Sequence, residues 1–323
     1  MVVNTLVAVA QRRRDPLGVQ LGLPLKGTYY PLGFQLELST NSPDVLEAAE
    51  ESWGGQSRDF AAEPLIMRVI VQPEGELSHE AKFRKQGHLY CVVSDADNFA
   101  HIDLRSQFAV IHVSEKTAAD HSWLRWFFVE SSAYLMLCQR HVVMVHAGCV
   151  ARDGAGLLLC GASEAGKSTL SYACARAGWT WIADDCTCLL PDSTERIAIG
   201  RSRQARFRID APALFPELER FTARERPTGK IGIEVDMAAI PGIQTARRAP
   251  IAALAFLDRR SGPAGAHAIS DEEAIDRLLA DMPSYGEEED ALHERTVRQL
   301  AGAPAYLARY ESIEDGLRVI SGL

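Results

Sequence analysis

The run Gly161-Ala162-Ser163-Glu164-Ala165-Gly166-Lys167-Ser168-Thr169 carries two glycines, a lysine and a hydroxyl at the spacing G-x-x-x-x-G-K-[ST]. The chemistry of that pattern is phosphate binding. Backbone N–H groups of the loop cradle phosphates, the lysine reaches the β- and γ-phosphates, and the Ser168 hydroxyl is a ligand for Mg²⁺. Gly161 to Thr169 are therefore read as the phosphate-binding loop of a nucleotide site. Two further groups belong with it by position. Asp184-Asp185 closes the apolar run Trp179-Thr180-Trp181-Ile182-Ala183, and adjacent residues of a strand point to opposite sides, so one carboxylate can serve a metal and the other a substrate. His146 follows from hairpin arithmetic. Asp153-Gly154 is a two-residue turn signal, and the register it sets puts His146 across from Gly161, at the mouth of the loop. There a histidine can hydrogen-bond a phosphate oxygen or tune an acidic neighbour.

These groups need a strand before the loop, a helix after it and a strand that returns. Leu157 to Cys160 is the apolar strand, Lys167 to Ala177 the helix with Gly178 as its terminator, and Trp179 to Ala183 the second strand. A right-handed crossover brings the end of that strand beside the loop. Upstream, Val142 to Val150 reads as one more buried strand. Downstream, periodic segments near 271–281, 288–301 and 313–323 read as helices separated by breaks at Met282-Pro283 and Ala303-Pro304. The first third has a different grammar: short strands at 34–38, 65–71, 89–93, 99–104 and 108–113, one helix near 44–53, and an amphipathic helix from Thr117 to Arg140 that leads into the second unit. The expected organisation is an α+β domain over residues 1–135, without a recognisable site or role, and an α/β nucleotide-binding domain over 136–323.

Val145-His146-Ala147-Gly148, the loop and Ala183-Asp184-Asp185 resemble, in order and spacing, the catalytic domain of HPr kinase/phosphorylase and its relatives, over about residues 140–190. The resemblance implies a P-loop kinase domain of HPr kinase type, with a nucleotide-binding fold shared with phosphoenolpyruvate carboxykinases. It implies ATP and Mg²⁺ as cofactors, and transfer of the γ-phosphate to a hydroxyl, a serine of a protein or peptide. Carried over residue by residue, it makes Asp184 the acid/base on the acceptor hydroxyl, Asp185 a holder of Mg²⁺ and His146 an assistant at the phosphate, beside the roles that the loop pattern gives Lys167 and Ser168. Glu164 stands where the family's loop usually has glycine. Residues 186–210 lack the family's second glycine-rich signature, and residues 1–121 do not resemble its amino-terminal domain. The expectation is a kinase-related chain with a different substrate. Two other functions share the loop: a kinase for a small metabolite, and a nucleotide-binding sensor without transfer activity, for which Glu164 is the motivating residue.

Composition limits the partners. The chain has 323 residues, 47% hydrophobic and 24% charged, with a formal net charge of -9. Such a balance builds a folded core and argues against a dedicated nucleic-acid binder. The seven cysteines form no regular framework, which fits a reducing, cytoplasmic setting. Cys186-x-Cys188 lacks a second pair of ligands and reads as core. Met1 to Ala10 is too short to span a membrane and precedes Arg12-Arg13-Arg14, and no membrane role is expected. Arg201 with Arg203 and Arg206 with Arg208 have strand spacing, which suits either a basic face toward nucleotide or acidic substrate or a solvated segment. A homo-oligomer is left open.

Overall fold

The computed structural model describes residues 22–323 except 74, 78–80, 192, 194, 226–228, 230, 261 and 283–285. The segments Met1 to Ala10 and Arg12 to Arg14, and Pro283, lie outside the described residues. The chain divides into two compact units, Met1–Met136 and Leu137–Leu323. Both mix helix and sheet, so the protein is a mixed α/β protein with several sheets. Among the described residues no helix is long and apolar enough to cross a membrane.

The first unit is built on a seven-stranded sheet of order β1-β2-β3-β7-β6-β5-β4. Its strands are β1 (Leu25–Tyr29), β2 (Leu36–Thr40), β3 (Leu65–Gln72), β4 (Lys82–Gln86), β5 (Leu89–Val93), β6 (Phe99–Asp103) and β7 (Phe108–Ser114). Helix α1 (Pro43–Trp53) crosses between the parallel strands β2 and β3 and buries Val45, Ala48, Ala49 and Trp53. The single amphipathic helix expected over Thr117 to Arg140 is a series instead. Short helices Glu115–Ala119 and His121–Trp123 precede a wide π turn at Leu124–Val129 and helix α2 (Glu130–Arg140). The side chains of Ser114 and Asp120 accept from the N–H groups of Thr117 and Trp123. Each acts as an N-cap that restarts a helix within the run.

In the second unit a ten-stranded sheet runs β17-β11-β9-β10-β18-β13-β12-β8, with β20 on β18 and β19 on β20, where β17 is Gln244–Thr245 and β19 is Gly265–Ile269. Its central strands are β8 (Val143–Val145), β9 (Ala147–Arg152), β10 (Ala155–Cys160), β11 (Thr180–Ala183), β12 (Thr187–Leu189), β13 (Ile197–Gly200) and β18 (Arg248–Arg259). Strand β20 is Ala305–Tyr310. A separate three-stranded sheet pairs β14 (Gln204–Arg208) and β15 (Ala223–Glu225) with β16 (Ile231–Asp236). The β9–β10 hairpin turns at Asp153 and Gly154, whose φ values of 52° and 81° are the left-handed pair of a type I′ turn. Its register, Ala155 with Arg152 through Cys160 with Ala147, follows the turn.

Strand β10 is apolar at every position from Leu157 because both of its faces are covered. Leu157 and Leu159 pack with Leu170 and Cys174 of α3 (Lys167–Arg176) and with Ile320 of the terminal helix Ile313–Ser321. Leu158 and Cys160 face the other way, toward Ala274, Ile275 and Leu278 of α4 (Asp271–Ala280) and Val297 of α5 (Glu287–Arg298). Period-two alternation thus feeds two cores from one strand. The loop after Cys160 and the acids after Ala183 emerge at the same end of the sheet, because β10 and β11 both run antiparallel to β9, which lies between them.

Candidate active site

The chain leaves β10 at Gly161 (φ 153°), passes Glu164 (φ 71°) and Gly166 (φ 97°), and enters α3 at Lys167. Positive φ at Gly166 suits glycine, and the space there is closed as well. A Cβ at Gly166 would sit 2.7 Å from the Tyr310 hydroxyl, which itself donates to the Ala165 carbonyl at 2.8 Å. Tyr310 ends β20 and is buried, so the loop is braced from a strand that no local pattern connects with it. Ala162, Ser163 and Glu164 form an exposed rim, and Ser168 and Thr169 lie partly exposed in the first turn of α3. The first N–H groups of a helix have no partners within it, which makes this turn a natural anion cradle.

Lys167 is 3% exposed. Its Nζ donates to the carbonyls of Gly161 (2.7 Å) and Ala162 (3.0 Å) and lies 3.2 Å from Asp185 Oδ1. The ammonium is buried at low cost because all three contacts accept from it.

The two acids diverge, as neighbours at a strand end do. Asp184 turns toward β14: its Oδ2 accepts the Arg206 N–H at 2.9 Å and its Oδ1 the N–H of Asp185 at 2.9 Å. Burial pushes the Asp184 carboxyl above its ordinary value, against the opposing pull of the Arg206 N–H and the Arg201 charge. Asp185 is half-exposed and turns toward the loop. Besides Lys167 it meets His146, whose Nε2 is 3.0 Å from the same Oδ1.

His146 is not inside a strand. The single strand expected over Val142 to Val150 is two, β8 and β9, with His146 at the break. The cause is a change of partner: Val145 pairs with Thr187 of β12, whereas Ala147 already pairs with Cys160 of β10. An uninterrupted ladder cannot serve both, and the break frees the imidazole to reach Asp185. Its other nitrogen, Nδ1, lies 2.9 Å from Oδ2 of Asp281, the residue that caps the end of α4. A continuous chain of contacts runs Asp281, His146, Asp185, Lys167.

Of the residues singled out from sequence, Asp185 thus touches both Lys167 of the loop and His146, while Asp184 next to it spends its carboxylate on backbone N–H groups. Arg208 reaches back from β14 to Glu164 at 2.7 Å, and Arg206 pairs with Glu234 at 3.5 Å. Arg203 pairs with Asp236 at 3.0 Å. Cys188 is buried in β12, and Cys186, just before that strand, is partly buried. Asp281 and Tyr310 lie outside every motif of the sequence. Neither carries a local signal, since each is brought in by the packing of a distant element.

Gly148 explains how α3 and the acids come so close. A Cβ there would collide with Ser171 Oγ of α3 and lie 2.9 Å from the Asp184 carbonyl. The donor set at the loop, the Ser168 hydroxyl and the Asp185 carboxylate, consists of hard oxygens and fits Mg²⁺ better than a soft transition metal.

The fold and the loop define a mixed α/β protein with a phosphate-loop signature. The family model of the SynChlorMet cassette protein ScmC matches residues 110–199, a stretch that contains His146, the loop and both acids. Among solved structures the chain is similar to the HPr(Ser) kinase/phosphatase of Coxiella burnetii, at 14% identity and a TM-score of 0.30, over 55% of this chain and 91% of that one. No curated protein matches.

Proposed function

We propose that the second unit is a P-loop kinase domain of HPr kinase type that transfers the γ-phosphate of ATP to a hydroxyl, a serine of a protein or peptide. The observation that carries this reading is the meeting of Lys167, Asp185 and His146 at the phosphate-loop signature, with one Asp185 oxygen 3.2 Å from the lysine and 3.0 Å from the histidine. In phosphoryl transfer little covalent chemistry falls to the protein, so positioning and charge neutralisation supply most of the rate.

Lys167 exchanges its loop carbonyls and Asp185 for the β- and γ-phosphate oxygens, and the N–H groups of Gly161 to Ser168 hold the phosphates in register. Ser168 and Asp185 would hold Mg²⁺, which when bound draws charge off the phosphates. Asp184, facing away from the lysine, accepts the proton of the acceptor hydroxyl. His146 contacts the phosphate side. These roles rest on the resemblance together with the divergence of the two carboxylates.

Incubation with Mg²⁺-ATP and the proteins that co-purify with the chain, followed by mass spectrometry, tests the proposal. A serine phosphopeptide that is absent with Lys167→Met supports it. A phosphorylated metabolite would move the acceptor to a small molecule, and ATP binding with neither product would make the domain a sensor.

A further inference from the structure

The imidazole of His146 lies between two carboxylates, and the second of them, Asp281, has no part in the chemistry described above. Asp185 Oδ1 is 3.0 Å from Nε2, and Asp281 Oδ2 is 2.9 Å from Nδ1. His146 and Asp281 are 32% and 45% exposed. An ion pair that open to water adds little to stability, so the value of the contact has to be sought in what it does to the ring.

His146 sits at the break between β8 and β9, where no ladder partner restrains it. A half-turn about its Cβ–Cγ bond would exchange the two sides of the ring and point carbon instead of Nε2 at Asp185. Asp281 opposes that turn. Its own place is fixed, because its N–H donates to the carbonyls of Leu278 and Leu279 at the end of α4, and α4 is anchored on the sheet through Ala274, Ile275 and Leu278. A side chain held by such a platform can orient a neighbour far better than one on a loop. Carboxylate oxygens only accept, so the ring donates Nδ1–H to Asp281 and presents Nε2–H as the donor that faces Asp185, its orientation being set by a third group.

We infer that Asp281 is a positioning residue for the transfer site, acting through His146: it fixes the ring so that Nε2 faces Asp185 and the bound phosphate. The inference rests on the kinase reading for its effect on rate, but not for its effect on the ring.

Two measurements test it. The first uses the full chain labelled with ¹⁵N-histidine, the His146 signal being identified by its loss in His146→Gln. A slowly exchanging Nδ1–H of His146 is expected in the free protein, and is expected to vanish in Asp281→Ala while the remaining spectrum is kept. A ring N–H that is unaffected by Asp281→Ala overturns the inference whatever the activity. The second is steady-state transfer from Mg²⁺-ATP. Asp281→Asn should lower kcat about 10-fold, the scale on which outer supports of a working histidine act, and leave KM for ATP within about 2-fold, with Asp281→Glu recovering most of the rate. In the His146→Gln background Asp281→Asn should cost nothing more. Additive losses, or a loss confined to KM, would show that Asp281 acts on the fold or on nucleotide binding and contradict the inference. If the wild type transfers no phosphate while the ring N–H depends on Asp281, the kinase reading fails and the positioning of His146 stands.

Discussion

Replacing Gly166 by alanine perturbs the loop Gly161–Thr169 where a side chain of another element presses on it, and the cost resolves into parts. At φ 97° an alanine carries the strain of the left-handed region, about 1–2 kcal/mol. The added Cβ would lie 2.7 Å from the Tyr310 hydroxyl, so the tyrosine must move, at an overpacking cost of about 1–3 kcal/mol. In moving it gives up its hydrogen bond to the Ala165 carbonyl, worth about 1 kcal/mol. Gly166→Ala should therefore destabilise the second unit by about 3–6 kcal/mol, which for a unit of this size lowers Tm by roughly 10–20 °C. Tyr310→Phe alone loses only the hydrogen bond, about 1 kcal/mol. The double variant is the discriminating case. The Cζ atom of Tyr310 is 3.9 Å from the added Cβ, so a phenylalanine ring fits without moving, and the double variant should be more stable than Gly166→Ala by about 1–3 kcal/mol. Urea denaturation of the four proteins, followed by tryptophan fluorescence, measures this coupling. Simple additivity, with the double variant the least stable of the four, would refute the account of how Tyr310 braces the loop.

Three more predictions concern the acids and the loop rim. Asp185→Asn should weaken Mg²⁺-ATP binding about 10-fold in calorimetry, since an amide is a poorer ligand for a hard cation than a carboxylate, whereas Asp184→Asn should leave binding within about 2-fold and slow transfer by roughly 10²-fold; the reverse pattern exchanges the two roles. Gly200→Ala drives a Cβ into the backbone carbonyl of Ile182, two residues before Asp184, and should cost more than about 2 kcal/mol in urea denaturation; a cost below about 0.5 kcal/mol would contradict the packing of β13 on β11. Glu164→Gly relieves left-handed strain at φ 71° and removes a carboxylate from the rim, so it should raise ATP affinity several-fold despite the loss of an exposed ion pair with Arg208 worth about 0–1 kcal/mol; unchanged or weaker binding would show that the pair with Arg208 organises the site.

What was legible in the sequence was local. The Asp153-Gly154 turn sets the register of β9 on β10 as far as Cys160 with Ala147, the residue after His146, because only left-handed residues make the two-residue turn whose twist suits a hairpin. The loop, α3 and β11 were legible for the same reason, with each signalled by neighbours within a few residues. The break at His146 was not: Val142 to Val150 is continuously apolar apart from that residue and reads as one strand, and only the pairing of Val145 with Thr187 and of Ala147 with Cys160 reveals two. Strand β4 leaves no signal in the sequence because Lys82, Arg84 and Lys85 make it the charged, exposed edge of its sheet, without the alternation that marks a half-buried strand. Asp281 and Tyr310 enter from the end of α4 and from β20 through tertiary packing, which leaves no trace at local spacing.

The proposed kinase function requires that Gly161 to Thr169 bind a nucleotide through Lys167. Calorimetric titration of Mg²⁺-ATP into the full chain and into its Lys167→Met variant decides this. Charge-assisted hydrogen bonds of the kind that Lys167 can make are worth about 1.5–3 kcal/mol, so saturable binding to the wild type is expected, with a Kd higher by roughly 10- to 100-fold for a variant with an unchanged circular dichroism spectrum. No binding to the wild type, or equal affinity in a folded Lys167→Met variant, would contradict the proposed function.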